Sequence, residues 1–529
     1  MTVPARRRQP HPPMLLATLL AALLAMVLPV LACSSAATVG TGTPVGPVPA
    51  EQLRGFYAQE LTWSTCGRFD CTYLRVPLDY SRPGGKTARL AVLRQRAGQP
   101  DHRLGSLVIN PGGPGGSGTS AAAGLAQKLE HSPLGQRFDI VGFDPRGIGS
   151  SEPAIECLNA RERDRERLES PEAVAPANDP RYAERRDAQY ERQAREHAAK
   201  CGQRSGTDLL ANAGSRDVAR DMDVLRSALG ETKLTYLGYS YGTRIGYTYA
   251  EAFPHNVRAL VLDGALSPDR NRADELVAQA DGFQRAFNAF AGWCAQQAQC
   301  PLGGDPNTAT ATYRKLVLPL LDTPLPLADG RKLSHRDAVS GTLVAFYRRA
   351  DWEPLRIALS ELASGKGESL MRLADGQEGR TALGAYSRLH DALEVVRCVD
   401  ERPITDPAMA LRANARYSTA APFMDSGRGP SAALDSCAFW PVPHTSEAHL
   451  PNVSGLPQVL VIAVTGDPAT PYQAGVELAS ALHARFLGVD GTQHTVALQG
   501  TPCVDDIVTR YLTELALPPD GTRCAIAPS

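Results

Sequence analysis

The sequence predicts an α/β protein: a mostly parallel central sheet flanked by helices and interrupted by one long, mainly helical insertion. Three observations carry this. Apolar runs recur at 89–94 (RLAVLR), 107–109 (LVI), 138–143 (FDIVGF), 234–237 (LTYL), 259–262 (ALVL), 458–464 (QVLVIAV) and 484–489 (ARFLGV), and they are continuous rather than alternating. Strands of that kind are buried on both faces, as in a parallel sheet covered by helices. The runs lead into loops carrying Gly, Asp, Ser or His, and in an open α/β sheet the ligand crevice lies at those carboxyl ends. Residues 271–454 form a long helical-looking block between two strand signals, and a structureless loop of that length is foreign to a compact domain, so the block is expected to be an inserted domain.

The elements follow in order. Arg6, Arg7 and Arg8 precede an almost unbroken apolar run from Met14 to Leu31, followed by Ala32, Cys33, Ser34 and Ser35. A charged start, an apolar stretch and small residues at its end describe an export signal over 1–33. The Leu-Ala-Cys ending resembles a bacterial lipobox, which makes Cys33 the expected lipidation site. A plain signal peptide cleaved nearby and an uncleaved anchor are the alternatives. Residues 34–50, rich in Ala, Thr, Gly, Pro and Val, read as a flexible tether. The core is expected in two parts, 51–270 and 455–529, around a helical cap at 271–454. A chain of 529 residues is too long for one simple core.

Hydrophobic content of 43% and charged content of 21% are those of a soluble globular protein, and a net charge of −1 gives no footprint for nucleic acid. The stretch 157–201 is dense in Arg and Glu and reads as solvated helices. Besides Cys33 there are ten cysteines, an even set that suggests disulfides in an exported chain. Connectivity does not follow from sequence; sequential pairing (66–71, 157–201, 294–300, 398–437, 503–524) closes the most local loops. A zinc site is disfavoured because no CxxC pair is present.

The chemistry centres on Gly238-Tyr239-Ser240-Tyr241-Gly242, a G-x-S-x-G between a strand signal and a helical pattern. That context defines a nucleophile elbow of the α/β-hydrolase type, with Ser240 as the expected nucleophile. A serine hydroxyl needs a base, and in this fold the order is Ser, acid, His. Asp467 in Thr-Gly-Asp-Pro and His494 in Gly-Thr-Gln-His-Thr both lie in loops after late strand signals and have that order. Asp505 and Asp506 follow His494 and fit it less well. An acyl transfer also needs an oxyanion hole. The run Asn110 to Gly118 (NPGGPGGSG) can supply the Gly113 N–H, and the elbow the N–H of Tyr241. Pro114 has no N–H to give. A phosphate cradle is disfavoured by the missing G-K-[ST], a metallohydrolase by the missing HExxH. No cofactor is expected. Arg146 in DPRG is read as local support for the glycine segment.

Taken in order, NPGGPGGSG, FDPRGIGSS, GYSYGTRIGYTYAEAFP, VLDGAL, TGDPATP and GTQH resemble the exported tripeptidyl aminopeptidases of actinobacteria, in the proline-aminopeptidase-like group of α/β-hydrolase serine peptidases. The resemblance spans roughly residues 50 to 525. It implies release of short peptides, with tripeptides expected, from the free N-terminus of an oligopeptide, a cap over the site, and Ser240, Asp467 and His494 as the triad. A substrate ammonium group needs an anionic partner; Asp263 at a strand end and Asp400 and Glu401 in the insertion are the candidates. A carboxylesterase or lipase with the same triad is the alternative. The expected partner is therefore an oligopeptide, with membrane contact only through the N-terminal lipid.

Overall fold

The computed structural model describes residues 50–527. The expected export signal (1–33) with Cys33, and the tether up to residue 49, lie outside the described residues. Ten strands form one sheet: β1 (Ser64–Cys66), β2 (Phe69–Pro77), β3 (Thr87–Gln95), β4 (Gly105–Asn110), β5 (Phe138–Phe143), β6 (Leu234–Tyr239), β7 (Val257–Asp263), β10 (Leu460–Val464), β11 (Arg485–Asp490) and β12 (Arg523–Ala525). A separate two-stranded ribbon, β8 (Leu325–Pro326) and β9 (Lys332–Leu333), belongs to the insertion. The sheet order is β1-β2-β3-β5-β4-β6-β7-β10-β11-β12. From β5 to β12 all neighbours are parallel, while β1, β2 and β3 form an antiparallel edge.

The continuous apolar runs are explained by two-sided burial. All six residues of β4 and of β5 are buried. Leu107 and Ile109 face one layer with Ile140, Leu237 and Val261, whereas Val108 and Val141 face the other with Tyr236 and Leu260. The 89–94 run is β3, but it is antiparallel to both neighbours and not buried throughout; β2 and the terminal β12 escape the sequence signal for a physical reason. From Thr72 to Val76 buried and exposed positions of β2 alternate, so its sequence lacks a continuous run. β12 is three residues long with one buried position.

The chain goes from β4 to β5 on one side of β4 and then returns to β6 on the other. This reversal opens a crevice at the carboxyl ends of β4 and β6. The pairing Asn110↔Gly238 brings the loops that follow these two strands side by side. Likewise Tyr239↔Asp263 levels the ends of β6 and β7, and Val464↔Val489 those of β10 and β11, which sets the stage for the site.

The insertion is mainly helical and has an aromatic core of its own. Phe287 stacks on Phe423 at 4.6 Å, and Phe290 meets Trp352 edge-on at 5.7 Å. The charged stretch differs from its expectation as solvated helices. The helices Ala160–Leu168 and Tyr182–Ser205 bury Arg163, Arg167 and Arg186 against the insertion. Arg167 bonds Asp337 at 2.8 Å, Asp375 at 2.8 Å and the Tyr386 hydroxyl at 3.0 Å. Arg186 donates to the carbonyls of Arg428, Gly429 and Pro430, each at 2.8 Å. A buried guanidinium is tolerable only when paired and hydrogen-bonded. Here the partners lie 170 or more residues away in sequence, so composition could not show them.

The ten described cysteines pair sequentially, 66–71, 157–201, 294–300, 398–437 and 503–524. The links 157–201 and 398–437 span 44 and 39 residues, and loops of that size remove about 4 kcal/mol of unfolded-state entropy in the chain-closure account. Among the described residues no helix is long and apolar enough to cross a membrane. Arg167→Ala should leave Asp337 buried without its cation and lower stability by about 3–5 kcal/mol; thermal unfolding of the two proteins side by side checks this, and an unchanged melting temperature would contradict it.

Candidate active site

β6 delivers Ser240 at a tight turn. Its φ of +53° lies in the left-handed region, which costs a non-glycine residue energy and persists where the surroundings over-determine it. The surroundings do so here. The Ser240 N–H donates to the Asp263 carbonyl at 2.8 Å, and the Ser240 carbonyl accepts from the Thr243 N–H at 2.8 Å and its hydroxyl at 2.7 Å. The flanking glycines are required by space. A Cβ on Gly238 would stand 2.5 Å from the Gly242 carbonyl, and one on Gly242 would stand 2.9 Å from the Asn110 carbonyl. The helix Gly242–Ala252 begins at once, aiming its positive end at the serine.

The glycine loop after β4 lies directly on this turn. A Cβ on Gly112 would meet the Tyr239 carbonyl at 2.4 Å, the Tyr241 nitrogen at 2.9 Å and Ser240 Cβ at 3.0 Å. The Gly112 N–H is bonded to the Asn110 side chain at 2.9 Å. The two expected oxyanion donors, Gly113 N–H and Tyr241 N–H, make no intramolecular hydrogen bond among the described residues. The loop is steadied by Asp144, which accepts from the Ser117 hydroxyl at 2.7 Å and the Thr119 N–H at 3.1 Å. Arg146, expected to support this segment locally, instead pairs through two nitrogens with Asp221 at 2.6 and 2.8 Å and caps the carbonyls of Pro77, Leu78 and Asn212. It is structural, but its partners are distant in sequence.

The loops after β10 and β11 bring Asp467 and His494 together. His494 Nδ1 lies 2.9 Å from each Asp467 oxygen. Donation from Nδ1 to the carboxylate leaves the Nε2 lone pair for a proton. Asp467 is 1% exposed, and it also accepts from Ala469 N–H at 2.9 Å, Thr470 N–H at 2.8 Å and the Thr470 hydroxyl at 3.0 Å. Burial works against a charged imidazole at His494, yet the charge and hydrogen bond of Asp467, helped by the charge of Asp263, raise its pKa above the usual histidine value.

The insertion braces this pair. The Tyr347 carbonyl accepts the His494 N–H at 2.9 Å, and the Tyr347 ring stands edge-on to the imidazole at 5.1 Å. On the helix Arg272–Cys294, Gln279 donates to the Ala469 carbonyl at 3.0 Å, and a Cβ on Gly282 would stand 2.5 Å from the Pro468 carbonyl. Sequence reading missed Tyr347, Gln279 and Thr470. Thr470 sits inside the TGDPATP motif; the other two carry no local motif, since their role arises from packing alone.

Two of the three candidates for the substrate ammonium are corrected. Asp263 is fully buried, and its Oδ2 accepts from Val496 N–H at 2.7 Å and Ala497 N–H at 2.8 Å. Asp400 is 1% exposed, takes the Tyr241 hydroxyl, and accepts from Ser215 N–H at 2.9 Å. A strand-end or cap acid reads the same in sequence whether it faces a ligand or the core. Glu401 differs: its side chain is 27% exposed, it stands 3.8 Å from Arg244 and 3.6 Å from Arg272, and its Oε2 has no hydrogen-bond partner among the described residues.

A family model described as the alpha/beta hydrolase fold matches residues 105–501. Serine protease Hip1 of Mycobacterium tuberculosis is 44% identical over 88% of this chain and 91% of its own. Carboxylesterase B of the same organism is 41% identical over 91% and 92%. A tripeptidyl aminopeptidase of Streptomyces lividans is 33% identical over 85% and 82%.

The raised pKa of His494 sets the sign of the pH dependence. A base must be neutral to act, so the acid limb of kcat/KM should fall above the ordinary histidine value of about 6.5. A pH profile with any turned-over substrate measures it; a limb below that value would contradict the geometry.

Proposed function

The chain belongs to the alpha/beta hydrolase fold family and is a serine hydrolase; from this premise we propose that it is an exported serine exopeptidase releasing short peptides, tripeptides in the first instance, from the free N-terminus of oligopeptides. The observation that carries the reading is the His494–Asp467 pair on the same sheet edge as the constrained Ser240 turn. In this reading His494 Nε2 takes the Ser240 proton as the hydroxyl attacks the scissile carbonyl. The N–H groups of Gly113 and Tyr241 receive the oxyanion. The proton passes to the leaving amine, an acyl-enzyme remains, and water repeats the sequence. Asp467 fixes the imidazole and stabilises its charged form. No step calls for a cofactor.

The exopeptidase part rests on the acids around Glu401, which stands 3.8 Å from Arg244. Glu401 Oε2 and Glu275 Oε1 are buried without a hydrogen-bond partner, which is costly unless something supplies one. Arg270 is 3.3 Å from Glu275 and 3.0 Å from Glu477, so the nearby cations are shared among several acids. Arg244, one helical turn beyond Ser240, links Glu401 to this region. In this reading the substrate ammonium is bound there. The insertion then acts as a lid that limits substrate length.

Export rests on the 1–33 signal and is supported by the five disulfides; lipidation at Cys33 makes membrane contact through the lipid alone. The second reading, a carboxylesterase, is favoured by the name of the 41% identical relative.

One short peptide, free and N-acetylated, offered to the native enzyme and to Ser240→Ala tests the reading by product mass. Cleavage of the free peptide alone, lost in Ser240→Ala and weakened through KM in Glu401→Gln, is expected, and the fragment mass gives the step size. Equal cleavage of both peptides would overturn amine recognition. Turnover of esters with neither peptide cut would favour the esterase.

A further inference from the structure

We infer that Asp263 is a positioning residue that ties the Ser240 turn to the His494 loop and holds a negative charge behind the imidazole. The inference rests on the reading of Ser240 as nucleophile and His494 as base. Asp263 is the last residue of β7 and has no exposed surface. It works in two directions. Its main-chain carbonyl accepts the Ser240 N–H at 2.8 Å, fixing the turn whose φ is +53°. Its Oδ2 accepts the consecutive N–H groups of Val496 and Ala497 at 2.7 and 2.8 Å, two and three residues beyond His494. That loop needs fixing, because Thr495 and Leu498 have φ values of +59° and +58°, in a region that side chains rarely adopt.

The strand end also lies against the imidazole. A Cβ on Gly264, the next residue, would come within 3.4 Å of His494 Cε1 and 3.0 Å of the Thr470 hydroxyl. Asp263 Oδ1 has no hydrogen-bond partner among the described residues, so its charge is not consumed by a local cation. The titratable groups facing it are Asp467 from the loop after β10, His494 from the loop after β11 and Tyr239 from β6. Of these, only His494 can become positive. Burial, with the charge of Asp467 adding to it, pushes the Asp263 carboxyl up to about 6, against the pull of the two N–H groups and His494. Above that pH a proton arriving on His494 meets two carboxylates, one bonded to Nδ1 and one acting through space.

A clamp alone needs an acceptor; the second part needs a charge. Asp263→Asn keeps the shape and an acceptor for Val496 and Ala497 but removes the charge, and Asp263→Ser is a smaller uncharged variant for use if the first does not fold. The readout is hydrolysis of p-nitrophenyl acetate across the pH range, with thermal unfolding in parallel, so peptide specificity does not enter. The expected result is a folded variant whose kcat drops about tenfold at nearly unchanged KM, and whose acid limb moves to lower pH by on the order of one unit. A variant with native kcat and a native acid limb would overturn the inference. So would a loss of rate that only follows the loss of folded protein, with the limb unmoved. Hydrolysis that persists in Ser240→Ala would instead overturn the underlying reading, and this inference with it.

Discussion

A carboxylate with almost no exposed surface is tolerated only where its oxygens are met, and the site depends on that condition at Asp467. Two backbone N–H groups, the Thr470 hydroxyl and the His494 imidazole meet it. The same contacts fix which imidazole nitrogen carries the proton and where the other points. The register pairs the end of β6 with that of β7 and the end of β10 with that of β11, β10 running two residues past the end of β7. The strain at Ser240 is held by the same neighbour, since β7 supplies the carbonyl that receives its N–H.

The insertion is part of this arrangement and does more than cover it. Tyr347 and the helix Arg272–Cys294 press on the Asp467 and His494 loops through two hydrogen bonds and a close backbone approach. The charged helices from 160 to 205 fasten onto the insertion through buried arginines, and the 157–201 disulfide closes their base. The helix Leu389–Asp400, held by the 398–437 disulfide, ends in Asp400 against the Tyr241 hydroxyl. Movement of the insertion would thus be felt at both halves of the site.

The sequence was most legible where a single physical cause acts locally. Two-sided burial leaves continuous apolar runs, so the inner parallel strands could be read, while the half-buried β2 and the short terminal β12 could not. The turn at Ser240 demands glycines on both sides, and the chain order of Ser, Asp and His narrows the partners; the structure brings Asp467 and His494 into contact as that order implies. What sequence could not give is direction. Asp263, Asp400 and Glu401 read alike as strand-end or cap acids, yet burial and backbone hydrogen bonds set Asp263 and Asp400 apart from the part-exposed Glu401. Arg163, Arg167 and Arg186 read as solvent-facing because their partners come from remote segments.

The most direct test of the account is the site of attack on a fluorophosphonate, read by intact mass and peptide mapping of the native enzyme and of His494→Ala. The account predicts one adduct, on Ser240, formed rapidly by the native enzyme and slowly or not at all without the imidazole. An adduct on another residue, or labelling of Ser240 at the same rate in both proteins, would contradict it.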